Sequence, residues 1–253
     1  MNADEMAELR RMRTPVPFYA QQQGAAPENT IGGEDVRQRI YPKDSGYPER
    51  AIGQITFREG ASSFICTGWL ISPNTIATAA HCVHGGPGKG FSTNVMFYPA
   101  RDARNNPFGG CSARASFVPA SWTTRGAQED DYGAFKLNCN IGNATGWFGF
   151  MNLGTINKLN IAITGYPGDK PSGTSWSGSG FVVSSTGGKV RYLIDTAGGM
   201  SGSPVFQPDR TGSLCTGPCA VGIHTYGTQN GTNSGTRINT AVLSFLTAAR
   251  NAP

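Results

Sequence analysis

Three residues of this 253-residue chain have the types and contexts that acyl transfer needs. His81 ends an apolar run in "IATAAHC", Asp131 precedes the apolar run "YGAFKL", and Ser201 lies among glycines in "GGMSGSP". A serine hydroxyl becomes a nucleophile when an imidazole takes its proton and a carboxylate orients that imidazole. Taken singly, each has a simpler interpretation: a structural histidine, an aspartate in a turn, a Gly/Ser turn. Their combination and chain order predict a Ser-His-Asp site.

The elements that must position these residues are short strands. Runs rich in Val, Ile, Phe and Thr alternate with turns rich in Gly, Asn, Ser and Pro, which is typical of an all-β protein. Six antiparallel strands can close into a barrel without exposed edges. We therefore expect two six-stranded antiparallel β-barrels and a C-terminal α-helix in "NTAVLSFLTAAR". The predicted strands cover residues 51–57, 63–71, 75–79, 95–98, 113–118 and 132–137, then 159–165, 180–184, 190–194, 204–206, 220–225 and 236–239.

Composition divides the chain into three parts. Residues 1–30 combine a charged stretch, prolines and a glutamine run, which predicts a pro-segment or flexible N-terminal extension. Residues 31–150 are predicted to form an N-terminal barrel that carries His81 and Asp131. Residues 151–253 are predicted to form a C-terminal barrel that carries Ser201, the S1 pocket and the helix. Active sites often lie in the cleft between two such units.

Several stretches point to one family. "TAAHC" and "GGMSGSPV" together resemble the chymotrypsin-fold serine peptidases. "ITGYPGDKP" at 163–171, "DTAGGMSGSPVF" at 195–206 and "AVGIHTYG" at 220–227 resemble the bacterial glutamyl endopeptidases of staphylococcal type. The resemblance spans most of residues 31–250 and implies a serine endopeptidase that cuts after Glu or Asp. The alternatives are the same fold with a small or apolar P1 preference, and a catalytically inactive binding module.

The resemblance implies a role for each catalytic residue. His81 would be the general base, Asp131 would orient the imidazole, and Ser201 would be the nucleophile. The backbone N–H groups of Gly199 and Ser201 would form the oxyanion hole.

The resemblance also implies how substrates are selected. Thr196 and His224 would line the S1 pocket and bind the substrate carboxylate through O–H and N–H donors. No acidic residue is expected at the matching pocket positions, which argues against Lys or Arg at P1. The expected partners are therefore proteins and peptides with Glu at P1.

Six cysteines without paired CxxC motifs favour disulfides in an oxidising compartment over a zinc site. The resemblance implies a Cys66–Cys82 bridge, because such a bridge is common in the chymotrypsin fold. Cys215 and Cys219 are close in sequence and easily joined, which leaves Cys111–Cys139 as the third pair. Staphylococcal-type members lack these cysteines.

Met200 departs from the trypsin pattern, in which an aspartate precedes the nucleophile and pairs with the new N-terminus. That switch is therefore not expected here. "NTIGGED" still predicts a maturation site, and we expect cleavage near Asn29, Thr30 and Ile31 to release an ammonium that supports the S1 pocket directly.

Other properties narrow the class of protein. The net charge of +5 is scattered, so no nucleic-acid partner is expected, and no apolar run is long enough to span a membrane. We predict a secreted monomer without a cofactor or metal. The N-terminus lacks the apolar core of a signal peptide, so secretion requires that a signal has already been removed. Asn143 and Asn230 begin glycosylation sequons.

Overall fold

The computed structural model describes residues 31, 33–210, 215, 217–227 and 231–253. The predicted pro-segment 1–30, with Asn29 and Thr30, and the sequon at Asn230 lie outside the described residues. None of the described helices is long and apolar enough to cross a membrane.

The first barrel is closed and antiparallel, with strand order β2-β3-β4-β7-β6-β5. Its interior is filled by side chains without solvent exposure, such as Ile55, Leu70 and Phe97. The 3₁₀ turn Ala80–Cys82 follows β4, and a second 3₁₀ turn, Gln128–Asp130, leads into β7. The strands are β2 (Ile52–Glu59), β3 (Ser62–Ser72), β4 (Thr75–Thr78), β5 (Thr93–Pro99), β6 (Cys111–Phe117) and β7 (Gly133–Leu137).

The second barrel also has six strands, which neighbour one another in the order β9-β10-β11-β14-β13-β12 and close through pairing of β12 with β9. The strands are β9 (Asn160–Gly165), β10 (Ser175–Ser185), β11 (Lys189–Tyr192), β12 (Pro204–Arg210), β13 (Gly217–Gly227) and β14 (Asn233–Arg237). Two short strands extend this sheet. β1 (Gln38–Ile40) pairs with β10, and β8 (Gly149–Phe150) pairs in parallel with β13.

Short helices connect the strands, and one longer helix ends the chain. They are α1 (Pro42–Ser45), a 3₁₀ turn at Glu49–Ala51, α2 (Ala120–Arg125), α3 (Gly142–Thr145) and α4 (Thr240–Asn251). The Asn239 side chain caps α4 by accepting the backbone N–H of Val242 at 3.0 Å. Val242 and Leu246 are buried in the core, and the partly buried Phe245 packs against it. This spacing of three and four residues produces the apolar face predicted from the sequence.

The predicted fold class is confirmed: two six-stranded antiparallel barrels and a C-terminal helix. Several bounds differ: β10 begins at Ser175 rather than at residue 180, and β12 ends at Arg210 rather than at residue 206. The short strands β1 and β8 were not predicted. β1 precedes the first barrel in sequence but pairs with β10 of the second barrel. The segment that contains β1 was predicted to belong to the N-terminal barrel, residues 31–150.

The two barrels share one apolar cluster, and the second barrel contains a further cluster of its own. Phe148 joins them, with its ring centroid 5.6 Å from that of Trp69 in β3 and 5.3 Å from that of Phe206 in β12. Both contacts are edge-on, the geometry that aromatic pairs favour. This shared core fixes the relative position of the strand ends that carry His81, Asp131 and Ser201.

Candidate active site

His81 and Asp131 lie at the ends of two neighbouring strands. Their positions follow from the pairing of β4 with β7, in which Thr78 lies opposite Gly133. The His81 ring Nδ1 is 2.7 Å from Asp131 Oδ2, and the His81 backbone N–H donates to Asp131 Oδ1 at 3.0 Å. The carboxylate therefore fixes both the imidazole and the turn that bears it.

The Asp131 carboxylate is fully buried. Burial raises its pKa, but the charge and hydrogen bond of His81 and a hydrogen bond from Tyr226 outweigh burial and hold the pKa below its ordinary value. An ionised carboxylate at this point can stabilise an imidazolium, as general base catalysis requires. The sequence did not predict the Tyr226 contact, because Tyr226 is 95 positions away in the chain.

Ser201 lies in the loop between β11 and β12, beside the turn that carries His81. Its backbone carbonyl accepts the N–H of Thr67 at 2.8 Å and lies 3.8 Å from the sulfur of Cys82. Cys82 is bonded to Cys66, the neighbour of Thr67. The disulfide and the Thr67 hydrogen bond together place the serine next to the residue that follows His81.

The turn around Ser201 orients the peptide N–H groups of the predicted oxyanion hole. The Gly198 carbonyl accepts the N–H of Gly168 at 2.7 Å, and the Met200 carbonyl accepts the N–H of Ser203 at 2.9 Å. In a trans peptide the N–H points opposite the carbonyl. The N–H groups that follow, those of Gly199 and Ser201, are therefore directed to the other side of the turn.

Gly199 cannot be replaced in this turn. Its φ is +98°, and a Cβ at this position would lie 2.6 Å from the Tyr166 carbonyl oxygen. The Gly199 carbonyl accepts the Thr67 hydroxyl at 2.9 Å. Glycine is needed here for the backbone conformation and for the close approach of the 166–168 loop.

The predicted S1 residues Thr196 and His224 are both buried. Among the described residues, the Thr196 hydroxyl has no hydrogen-bond partner. The His224 Nδ1 lies 2.6 Å from the hydroxyl of Tyr192, a residue with no solvent exposure. Tyr192 could not be assigned to the site from the sequence, since nothing in its local sequence distinguishes it from a core tyrosine.

Asp195 corrects the expectation that the pocket region holds no acid. It lies six residues before Ser201, is buried, and accepts the backbone N–H groups of Ile31 at 2.5 Å and Val36 at 3.0 Å. The predicted maturation site therefore has an acidic partner, although not at Met200. A buried carboxylate requires such donors, since its desolvation is otherwise costly.

Lys189 is a second buried charge, and it lies near the Asp131 carboxylate. Its ammonium donates to the Thr225 hydroxyl at 3.0 Å and lies 4.9 Å from the Tyr226 ring centroid. Burial lowers the pKa of Lys189 to about 8. The local sequence of Lys189 does not indicate that it lies near the site.

The structure joins the cysteines as Cys66–Cys82, Cys111–Cys139 and Cys215–Cys219. His81 lies close to the first pair, and the ligand atoms of this group are within 4.8 Å of one another. Metal ions bind cysteine as thiolate. Because both sulfurs are committed to a disulfide, this group does not fit a metal site.

Comparison with known proteins agrees with this geometry. The trypsin-like peptidase domain family matches residues 66–215. A glutamyl endopeptidase of Bacillus licheniformis is 38% identical over 225 residues, covering 88% of this chain and 69% of that protein. An extracellular metalloprotease of Bacillus subtilis is 34% identical over 222 residues, covering 86% and 69%.

The solved structures lead to the same family. The structure of a Glu endopeptidase in complex with MPD matches with a TM-score of 0.78 at 29% identity, over 88% of this chain and all of that one. The protease Anisep from Arthrobacter nicotinovorans shares the fold, with a TM-score of 0.72 at 24% identity over 86% of this chain and all of that one. The chain belongs to the trypsin-like peptidases, with glutamyl endopeptidases among its relatives, and is a serine endopeptidase.

Proposed function

We propose that the protein is a secreted endopeptidase that hydrolyses peptide bonds after Glu, and less readily after Asp, by a Ser-His-Asp mechanism. His81 takes the proton of the Ser201 hydroxyl as the oxygen attacks the scissile carbonyl. It later gives that proton to the leaving amine, while Asp131 stabilises the imidazolium. A water activated by His81 then hydrolyses the acyl-enzyme.

The oxyanion forms between the N–H groups of Gly199 and Ser201. Fixed donors at this point stabilise charge that develops only in the transition state, and losing one such donor costs roughly 3–4 kcal/mol of barrier. The backbone bonds that orient the Gly198 and Met200 carbonyls support this role, because they are in place before substrate binds.

The preference for Glu depends on one observation. The Thr196 hydroxyl is buried without a partner among the described residues, one position from Asp195 in the turn that leads to Ser201. A buried donor is costly until a ligand satisfies it. A substrate carboxylate that accepts from Thr196 and from His224 Nε2 would satisfy it, and a neutral P1 side chain would not.

Asp195 raises a second candidate for the P1 preference. An acid six residues before the nucleophile has the spacing of the trypsin specificity aspartate, which selects Lys and Arg. The two backbone donors on its carboxylate argue against that role here. Peptides that differ only at P1, as Glu, Asp, Gln, Ala, Leu, Lys or Arg, separate these preferences. We expect the highest kcat/KM for Glu; a Glu/Ala ratio near one, or a Lys or Arg preference, refutes the proposal.

Labelling tests the catalytic assignment against an inactive binding module. A serine-directed fluorophosphonate should modify Ser201 and abolish activity, and Ser201→Ala should not be labelled. Activity that survives labelling but is lost with a chelator would instead indicate metal-dependent proteolysis, as the name of the Bacillus subtilis relative suggests for that protein.

The proposal also covers maturation, location and assembly. Cleavage before Ile31 would convert its backbone N–H into an ammonium that pairs with Asp195. The three disulfides support an extracellular location, because they persist in oxidising compartments. We further propose a monomer with the barrels divided as 31–150 and 151–253. The mass of the active form by light scattering tests its assembly.

A further inference from the structure

Arg37 lies between the N-terminal segment and the turn that carries Ser201. Its guanidinium has no solvent exposure and is surrounded by polar partners. It donates to both oxygens of Asp35 at 2.8 Å, and to the two oxygens of Asp169 at 3.2 and 2.5 Å. Lys170 pairs with Asp35 at 2.5 Å, so the four charges of this cluster sum to zero.

Asp169 connects this cluster to the peptide that carries the Gly199 N–H. Asp169 follows Gly168, whose N–H holds the Gly198 carbonyl at 2.7 Å. That bond sets the direction of the Gly199 N–H. Fixing Asp169 therefore fixes the loop that orients the first oxyanion donor.

A second contact reaches the turn directly. Arg37 Nη1 lies 3.8 Å from the sulfur of Met200, a residue with no solvent exposure. Met200 is the residue between Gly199 and Ser201, so its side chain position constrains both oxyanion donors. The same guanidinium thus contacts the turn in two ways: indirectly through Asp169 in the 166–171 loop, and directly at Met200.

We propose that Arg37 is a positioning residue for the oxyanion hole. It couples the N-terminal segment to the 166–171 loop and to Met200, and so holds the N–H groups of Gly199 and Ser201 in the geometry that the reaction needs. Lysine cannot replace it, because one ammonium cannot serve two carboxylates with paired, planar donors. This inference rests on the proposed role of Ser201.

The test measures phosphonylation of Ser201 by a small fluorophosphonate without a P1 side chain. This probe separates oxyanion stabilisation from substrate selection. We expect Arg37→Lys to lower the limiting rate of inactivation about 10- to 100-fold, with the reagent's half-saturation concentration and the final labelled fraction unchanged, since misplaced donors weaken only the transition state.

Asp169→Asn is the second variant, because it keeps the Arg37–Asp35 pair and Asp169 is partly exposed. We expect an intermediate loss of about 3- to 10-fold. Arg39→Lys is the matched control, since Arg39 pairs with Asp102 at 2.8 Å and makes no contact of this kind with the turn. Its rate should equal that of the wild type.

The outcomes separate the two proposals. Wild-type protein that is not labelled at Ser201 refutes the proposed function itself. Normal wild-type labelling with Arg37→Lys and Asp169→Asn within twofold of the wild-type rate overturns the role of Arg37. A fall in the labelled fraction without a fall in rate also overturns it, because that pattern indicates unfolded protein rather than misplaced donors.

Discussion

Tyr192→Phe should weaken the selection of Glu while leaving the reaction chemistry intact. The Tyr192 hydroxyl and the His224 Nδ1 are 2.6 Å apart, and neither side chain is exposed to solvent. Removing one partner of a buried hydrogen bond costs about 1–3 kcal/mol. Since each 1.4 kcal/mol is a factor of ten, kcat/KM for P1 Glu should fall by roughly 5- to 150-fold.

The expected loss of Glu selectivity follows from the roles of the two imidazole nitrogens of His224. When the phenol donates to Nδ1, the proton of the neutral ring of His224 stays on Nε2, which in our proposal faces the substrate carboxylate. Phenylalanine at position 192 no longer imposes this tautomer.

The assay compares peptides that differ only in Glu or Gln at P1, at pH 8. The loss should fall mainly on KM for the Glu peptide at pH 8, and the Gln peptide should change little. Tyr47→Phe is the control, because its hydroxyl donates to the Trp147 carbonyl at 2.9 Å far from the site in sequence. Equal losses for both peptides would show that Tyr192 serves folding rather than specificity.

Three further predictions concern the buried charges and a disulfide. Active enzyme should begin at Ile31, and N-terminal sequencing that finds residues 1–29 in the active form contradicts this. Asp195→Asn should lower the activity about tenfold, because it weakens a hydrogen bond to a charged group. Lys189→Met should raise Tm most below pH 8, where the folded protein keeps the buried ammonium charged. The difference in Tm should shrink toward pH 10.5, the ordinary pKa of lysine, and a constant difference would contradict it. Replacing Cys66 and Cys82 by alanine should lower the unfolding free energy by about 3 kcal/mol in denaturant titrations, as expected for a closed loop of this length; an unchanged value would rule out a stabilising role.

The sequence predicted the strands whose apolar periodicity is local. β4, β7 and β9 match their predicted bounds within one residue at each end. The predicted start of β10 is five residues too late, because "SWSGSG" carries small and polar residues that are typical of a turn. That half of the strand is held by β9 on one edge and β1 on the other, and such pairing cannot be read from local composition.

The sequence could propose the catalytic residues because their local stretches are distinctive. Their supporting partners were not. Tyr226 reaches Asp131, Tyr192 reaches His224, and each pair is separated by at least 32 positions in the chain. These tyrosines lie on strands where an aromatic residue is ordinary core, so only the closed barrel shows which hydroxyl meets which site residue.

Met200 and Asp195 both connect the turn that carries Ser201 to the N-terminal segment. The residue before the nucleophile is not acidic, but the turn from Asp195 to Ser201 is still tied to the N-terminal segment at both ends. Asp195 binds the backbone of Ile31 across 164 positions, and Arg37 contacts Met200 across 163. Both contacts come from the short segment 31–37. A change in the charge or position of residue 31 can therefore affect the start of the turn, at Asp195, and its end, at Met200.

If cleavage before Ile31 matures the enzyme, as proposed, maturation and catalysis depend on the same structural element. A new ammonium at Ile31 would strengthen the contact with Asp195. The better-fixed segment 31–37 would then hold Arg37 and its partner Asp169 in place, and with them the turn that forms the oxyanion hole. In trypsin-like proteins with an aspartate before the nucleophile, one ion pair performs both tasks. Here the acid lies five residues earlier and an arginine supplies the second anchor, so loss of either contact should impair the site without removing any catalytic group.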